Sequence, residues 1–320
     1  MPKNPEQPPK RDTRLDDLNR GGPCGHVFAS TAYLDLIGRT FRGQIDETGC
    51  EVDSRIAAGI RLLVRRSPFA LRAVVPPYTP YSAILLDRMP TESEIHGRDS
   101  NLEHLLELIE RRYAGIDISL PPQIIDVRTF TWRKWAAQPL YTYRIKLRDA
   151  SAVSKTWSES ARRIARRERA NYETVDPGAD AVARLSVESY KRSGRRSPLS
   201  QARLAAFVSD AESSVGARLF GVRNTQSGNV ESAVAMLRHD TTAYYWIAGG
   251  AAGPGMTVLL ANLFERLLEE GVETFDFVGA NTDSIAEFKR RFGGHLTTYF
   301  RAVWRSGPLI VAEDALHSMR

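Results

Sequence analysis

Cysteine is nearly missing from this chain: Cys24 and Cys50 are the only two in 320 residues. Two thiols near one end cannot staple so long a chain, which excludes a disulfide-built scaffold and makes a reducing compartment the expected one. Nothing approaches the run of about 20 apolar residues that crosses a bilayer. Met1 to Arg20 lacks the apolar segment of a secretory leader. These absences predict a cytoplasmic protein whose residues 1–25, rich in Pro, Asn, Asp and Arg, form a disordered tail. His26, His96, His104, His239, His295 and His317 have neither HxxxH spacing nor clustered acidic neighbours, so no metal is expected. A GxSxG elbow, a Walker loop and the kinase signatures are all missing, so no activated serine or nucleotide-triphosphate chemistry is indicated.

What is present describes a folded protein. Apolar residues make up 42% and charged residues 26% of the chain, enough to bury a substantial core. The length suggests two units of roughly 150 residues each, read here as 26–148 and 149–320. A net charge of +6 favours an anionic partner without choosing among nucleic acid, a phosphate-bearing carrier and an acidic surface. The basic residues crowd between Lys155 and Arg169.

Periodicity predicts a helix over 31–41, strands over 56–64 and 71–75 separated by Ser67-Pro68, and a proline-rich turn from Pro76 to Tyr81. A helix over 102–112 follows, then strands at 117–120, 127–132 and 141–147. The second half reads as helices at 152–170, 179–191 and 201–211 and strands at 218–223, 232–238 and 242–248. A long helix over 256–270 is closed by Gly271. Strand 274–278, helix 284–292 and strand 296–304 complete an α/β pattern in which mixed sheets are flanked by helices.

Chemistry concentrates after Tyr244. The strand Tyr244-Tyr245-Trp246-Ile247-Ala248 runs through Gly249-Gly250-Ala251-Ala252-Gly253-Pro254-Gly255 straight into a helix. Glycines admit a ligand close to backbone amides and a helix N-terminus offers unpaired N–H groups, so this junction suits a phosphate; a plain flexible turn explains it equally well. Downstream, Phe275-Asp276-Phe277 leads to a helix on which Ile285, Phe288 and Phe292 share a face and Lys289 lies at its edge. A lysine there can steady an oxyanion, although an ordinary surface lysine is the commoner case. Asp276 is a candidate proton acceptor or a cap for the following loop. On the basic helix, Arg163 and Arg167 lie four apart and can grip an anion, against the alternative of a solvated face.

This run of features over roughly 150–305 resembles the C-terminal half of the FemAB-like acyltransferases of the GNAT superfamily, a set that includes aminoacyl-tRNA-dependent transferases. The N-terminal half agrees in layout. The resemblance implies tandem GNAT-like (Fem-type) domains, with the acyltransferase domain second. It places Gly250, Gly253 and Gly255 in the phosphate loop, where Gly250 stands in place of the family's Arg or Gln and Pro254 removes an N–H donor. Phe288 and Lys289 match the family's pair beside the transferred acyl group, giving Lys289, with Asp276, the catalytic expectation. Tyr78 and Tyr81 correspond to the acceptor-side turn, and Arg163, Arg167 and Tyr245 complete the expected substrate contacts. The activity implied is N-acyl transfer from acyl-CoA to an amine on a small molecule, peptide or sugar. Aminoacyl transfer from charged tRNA, or a non-catalytic binding role, are the alternatives.

Overall fold

The computed structural model describes residues 12–66 and 70–307. The expected turn at Ser67-Pro68 lies outside them. The first element, α1 (Thr13–Gly21), falls inside the segment expected to be a disordered tail. Its few apolar residues are placed to count: Leu15 and Leu18 are both buried. Asp12 caps it, accepting from the Arg14 amide. Polar composition hid this helix because Asp16, on its edge, pairs inward with Arg61 of the sheet at 2.7 Å.

Helix α2 (Thr31–Phe41) is capped by Ser30 and buries Tyr33, Leu34, Leu36 and Ile37, the face its spacing predicted. Strands β1 (Gln44–Val52), β2 (Arg55–Arg66), β3 (Leu71–Val74) and β4 (Ala83–Leu86) follow, β2 forming antiparallel pairs with each of the other three. β1 gave no clear strand signal because only Ile45 along it is buried. Next come α3 (Glu92–Gly97), α4 (Asn101–Arg112), β5 (Gly115–Ser119), α5 (Arg128–Thr131) and β6 (Ala136–Lys146). The strand expected at 127–132 is the short helix α5. The Asp126 carboxylate takes the Arg128 amide at 2.9 Å and starts a helical turn that local β-propensity does not resist.

The second half contains α6 (Ala150–Lys155), α7 (Glu159–Glu168), β7 (Tyr172–Val175), α8 (Gly178–Arg192), α9 (Gln201–Val215), β8 (Arg218–Asn224) and β9 (Val230–His239). It continues with β10 (Thr242–Gly250), α10 (Gly255–Glu269), β11 (Thr274–Asp276), α11 (Asp283–Arg290) and β12 (His295–Arg305).

The strands form one twelve-stranded mixed sheet in the order β1-β2-β3-β5-β12-β6-β11-β10-β9-β8-β7, with β4 beside β2. The order crosses the expected division at residue 148. β6, from before it, pairs with β11, while the last strand, β12, returns to pair with both β6 and β5. One face is covered by α1, α2, α8 and α9, whose apolar residues join both halves in a single core. On the other face, α4 packs over the first half, and α6, α7 and α10 over the second. Burying a Leu or Phe in such a core contributes roughly 1.5–3 kcal/mol.

Candidate active site

β10 and β11 run parallel but pair over only three positions, ending at Tyr244 opposite Asp276. Beyond that point the chain after β11 stays with β6, the Phe277 amide donating to the Tyr143 carbonyl and the Ala280 amide to that of Tyr141. β10 instead follows β9 as far as Gly250. A wedge therefore opens between them, and among the described residues no strand pairs with the β10 backbone from Tyr245 to Gly250 on that side. The β10–β9 register slips at Trp246. This bulge turns Trp246 and Ile247 into the core shared with the first half, while Tyr245 faces the opposite core.

A cleft of about 460 Å³ occupies the wedge. Its wall is Tyr245 to Gly250, its far end the turn at Ala251 and Gly253, and its other sides Ser189 and Tyr190 of α8, Phe288 and Lys289 of α11, and Tyr78. Tyr78 comes from the first half with φ +62°, a left-handed conformation unusual for an aromatic residue. Its carbonyl accepts from the Trp246 indole and the Tyr33 hydroxyl, each at 2.9 Å, which fixes the turn against β10. Burial pushes its phenol up to about 12, so it stays a neutral donor.

Lys289 is 6% exposed. Its ammonium donates to the carbonyls of Phe277 at 2.6 Å and Val278 at 3.3 Å, and also to that of Gly279. It lies 5.8 Å from the ring centres of both Tyr245 and Phe277. Burial draws its pKa down to about 7, with the Asp276 carboxylate opposing the fall. The turn it clasps carries Val278 at φ +43°, a strained conformation for a β-branched residue, followed by Gly279 at +84°.

At the other end of the cleft, α10 starts at Gly255 with Pro254 as its cap residue and no side-chain cap bond. Its first-turn amides are left to the turn and to whatever enters it. The turn is built tight: a Cβ at Gly250 would lie 2.6 Å from Ser232 Oγ, and one at Gly249 2.2 Å from the Leu185 backbone. An uncapped helix start, a strand edge without a partner and a buried ammonium thus share one cleft, suited to an extended carrier whose charged part meets the turn and whose carbonyl meets Lys289.

A family model described as acetyltransferase (GNAT) domain matches residues 152–290. The solved structure of FemX aligns with a TM-score of 0.66 at 12% identity, covering 91% of this chain and 96% of FemX. Residues 152–290 thus match a GNAT acetyltransferase domain, and the fold of the chain is similar to that of FemX. A tandem GNAT protein from the clavulanic acid biosynthesis pathway aligns with a TM-score of 0.53 at 14% identity, over 92% of this chain and 94% of that one. The C-terminal domain of a putative lysylphosphatidylglycerol synthetase from Agrobacterium fabrum aligns at 0.54 and 14%, over 96% and 94%. No curated protein matches the sequence. The expected tandem GNAT-like fold, a mixed sheet flanked by helices, is thus the observed one.

Within this GNAT architecture, Lys289, Phe288, Gly250, Gly253, Tyr245 and Tyr78 share the cleft. The other expected site residues do not line it. Gly255 is buried at the helix start beside Ser232. Asp276 is 1% exposed and its oxygens are held by the Tyr81 hydroxyl at 3.0 Å, Thr142 Oγ1 at 2.8 Å and the Val278 amide at 2.9 Å. That placement makes Asp276 the support of the Lys289 turn rather than a proton acceptor, and Tyr81 the bolt joining it to the first half. Arg163 and Arg167 are exposed on α7, and Arg167 bonds to Glu168 at 2.6 Å. Their neighbours Arg162, Arg166 and Arg169 line a separate groove against α10. Sequence reasoning missed Ser189, Tyr190 and Arg195, which line the cleft, and Arg192, which bonds to Gly250, because nothing local shows that the end of α8 packs beside β10. Among the described residues no group of His, Cys, Asp and Glu is placed to hold a metal ion.

Proposed function

We propose that this chain is an N-acyltransferase moving an acyl group from acyl-CoA to an amine. The observation that supports this best is the wedge between β10 and β11, with the Lys289 ammonium at its root and the glycine turn at its end. The donor extends along the free β10 edge with its phosphates toward Ala251 and Gly253. The thioester carbonyl lies near Lys289, whose longest bond, to Val278, is the one a developing oxyanion displaces most easily. The acceptor amine enters past Tyr78. Its nitrogen adds to the carbonyl carbon, the oxyanion collapses, the C–S bond breaks, and the departing thiolate takes up the proton lost by nitrogen. The chain contributes orientation and charge stabilisation, without a covalent enzyme intermediate.

A crystal structure with a bound acyl-CoA tests the reading: the thioester oxygen should lie within hydrogen-bonding reach of Lys289 Nζ, and a carrier bound outside the wedge would refute it. Aminoacyl-tRNA as donor is the second reading. It is favoured by a turn with no cation of its own and by the exposed arginines of α7. Calorimetry separates the two, since failure to bind CoA thioesters together with salt-sensitive binding of charged tRNA selects the second.

A further inference from the structure

The turn from Gly249 to Gly255 contains only Gly, Ala and Pro. It can offer amides to a phosphate but no positive charge. The structure supplies that charge from elsewhere. At the end of α8, Arg192 reaches across to β10, its Nη2 donating to the Gly250 carbonyl and, at 2.9 Å, to Ser189 Oγ. Ser189 is itself bound to the loop, accepting from the Gly250 amide at 3.3 Å. Three residues on, Arg195 lines the cleft with its guanidinium carbon over the Tyr190 ring, 5.5 Å from its centre. Among the described residues no carboxylate pairs with Arg192 or Arg195, and no Asp or Glu lines the cleft. Beneath the same turn, Ser232 Oγ is fully buried without a hydrogen-bond partner, against both Gly250 and Gly255. An uncapped helix start, the Arg192 guanidinium and an unsatisfied hydroxyl therefore converge on one turn, and the Arg195 guanidinium lines the same cleft.

We propose that Arg192 and Arg195 form the cationic half of the donor's phosphate site, carried on α8 and the segment after it because the glycine turn has no cation. The proposal rests on the donor placement given under Proposed function. Arg192 is anchored to the turn by one edge of its guanidinium and presents the other to the phosphate, while Arg195 closes over it from Tyr190. The chemistry recognised is a phosphate ester, which either a coenzyme A thioester or the 3′ end of a charged RNA supplies.

The test uses the full chain as wild type, Arg192→Ala, Arg192→Lys, Arg195→Ala and Arg196→Ala, the last being exposed and outside the cleft. Affinities are measured at two salt concentrations for acetyl-CoA, for an aminoacylated RNA minihelix, and for S-acetyl-pantetheine, which has no phosphate. Whichever phosphate-bearing carrier wild type binds, Arg192→Ala should weaken it about tenfold and flatten its salt dependence. Arg192→Lys should recover part of the loss, Arg195→Ala should cost about threefold, and Arg196→Ala should change nothing. S-acetyl-pantetheine should bind wild type and all three alanine variants alike. Equal affinity of wild type and Arg192→Ala for the phosphate-bearing carrier overturns the proposal. So does an equal loss for S-acetyl-pantetheine, which would mean that Arg192 only braces Gly250. If Arg192→Ala does not fold, Arg195→Ala, with no backbone bond to lose, decides on the same criteria. A wild type that binds neither carrier removes the donor reading itself and this proposal with it, an outcome distinct from intact binding that ignores Arg192.

Discussion

Lys289 shows how far surroundings can change one residue type from its ordinary exposed state. Taken out of water and held by the carbonyls of 277–279, its amino group is fixed in position in the cleft. Lys289→Ala is expected to lower kcat about 10²–10³-fold while changing donor affinity only a few-fold, measured by thiol release and calorimetry. The ammonium also makes stability depend on pH. Its pKa falls from the ordinary 10.5 to about 7 on folding. Below pH 7 both states hold the proton and the full penalty of the buried charge is felt. Between about 7 and 10 the unfolded chain keeps a proton that the folded chain has shed, so folding gains as pH rises. Urea midpoints of wild type should therefore improve relative to Lys289→Met from pH 6.5 to 9, and a gap that ignores pH would contradict the burial argument. Gly249 is constrained by space alone. A Cβ there would come within 2.2 Å of the Leu185 backbone, so Gly249→Ala should cost about 1–3 kcal/mol or more in thermal or chemical unfolding.

At the level of elements, the decisive feature is that β10 and β11 separate. A bulge at Trp246 and a turn held by Asp276 and Lys289 keep them apart, so the cleft is a gap in a sheet with strand backbone along one wall. The other informative element is α1. Arg61, 2% exposed, joins it to the sheet through Asp16 at 2.7 Å, the Ala29 carbonyl at 3.0 Å and Glu47 of β1 at 3.0 Å. Removing one partner of a buried ion pair leaves the others uncompensated, so Arg61→Leu should destabilise the chain by about 3–5 kcal/mol. Leu15→Ala should cost about 2–5 kcal/mol. If both variants denature like wild type, α1 is not part of the cooperative fold.

Across the whole molecule, exchange of strands makes the two halves interdependent. β6 comes from before residue 148 yet lies between β12 and β11, and β12 closes onto β5 of the first half. The full chain should unfold in one transition, with calorimetric and van't Hoff enthalpies in agreement. A fragment of residues 149–320 leaves β11 and β12 without β6 and should show no cooperative unfolding, whereas a fragment reaching back to residue 133 should recover part of it. Cooperative melting of 149–320 alone would show that the division at 148 is a true domain boundary.

Sequence by itself determined the α/β class, the long helix α10 behind a glycine turn, the apolar face of α2 and the neighbourhood of Lys289. Each of these is written in local spacing that a single helix or strand must satisfy. It also carried the likeness to Fem-type proteins, because that likeness rests on the same run of residues. Tertiary structure alone decided the rest. Asp276 and Lys289 stand on consecutive elements in sequence, yet packing sends the lysine to the cleft and surrounds the carboxylate with Tyr81 and Thr142, both distant along the chain. Arg163 and Arg167 had the right spacing to share a helix face, but spacing does not say which direction that face looks. The guanidinium groups of Arg192 and Arg195 come to the cleft from the end of α8 and the segment after it, and the packing of α8 beside β10, which no local pattern encodes, put them there.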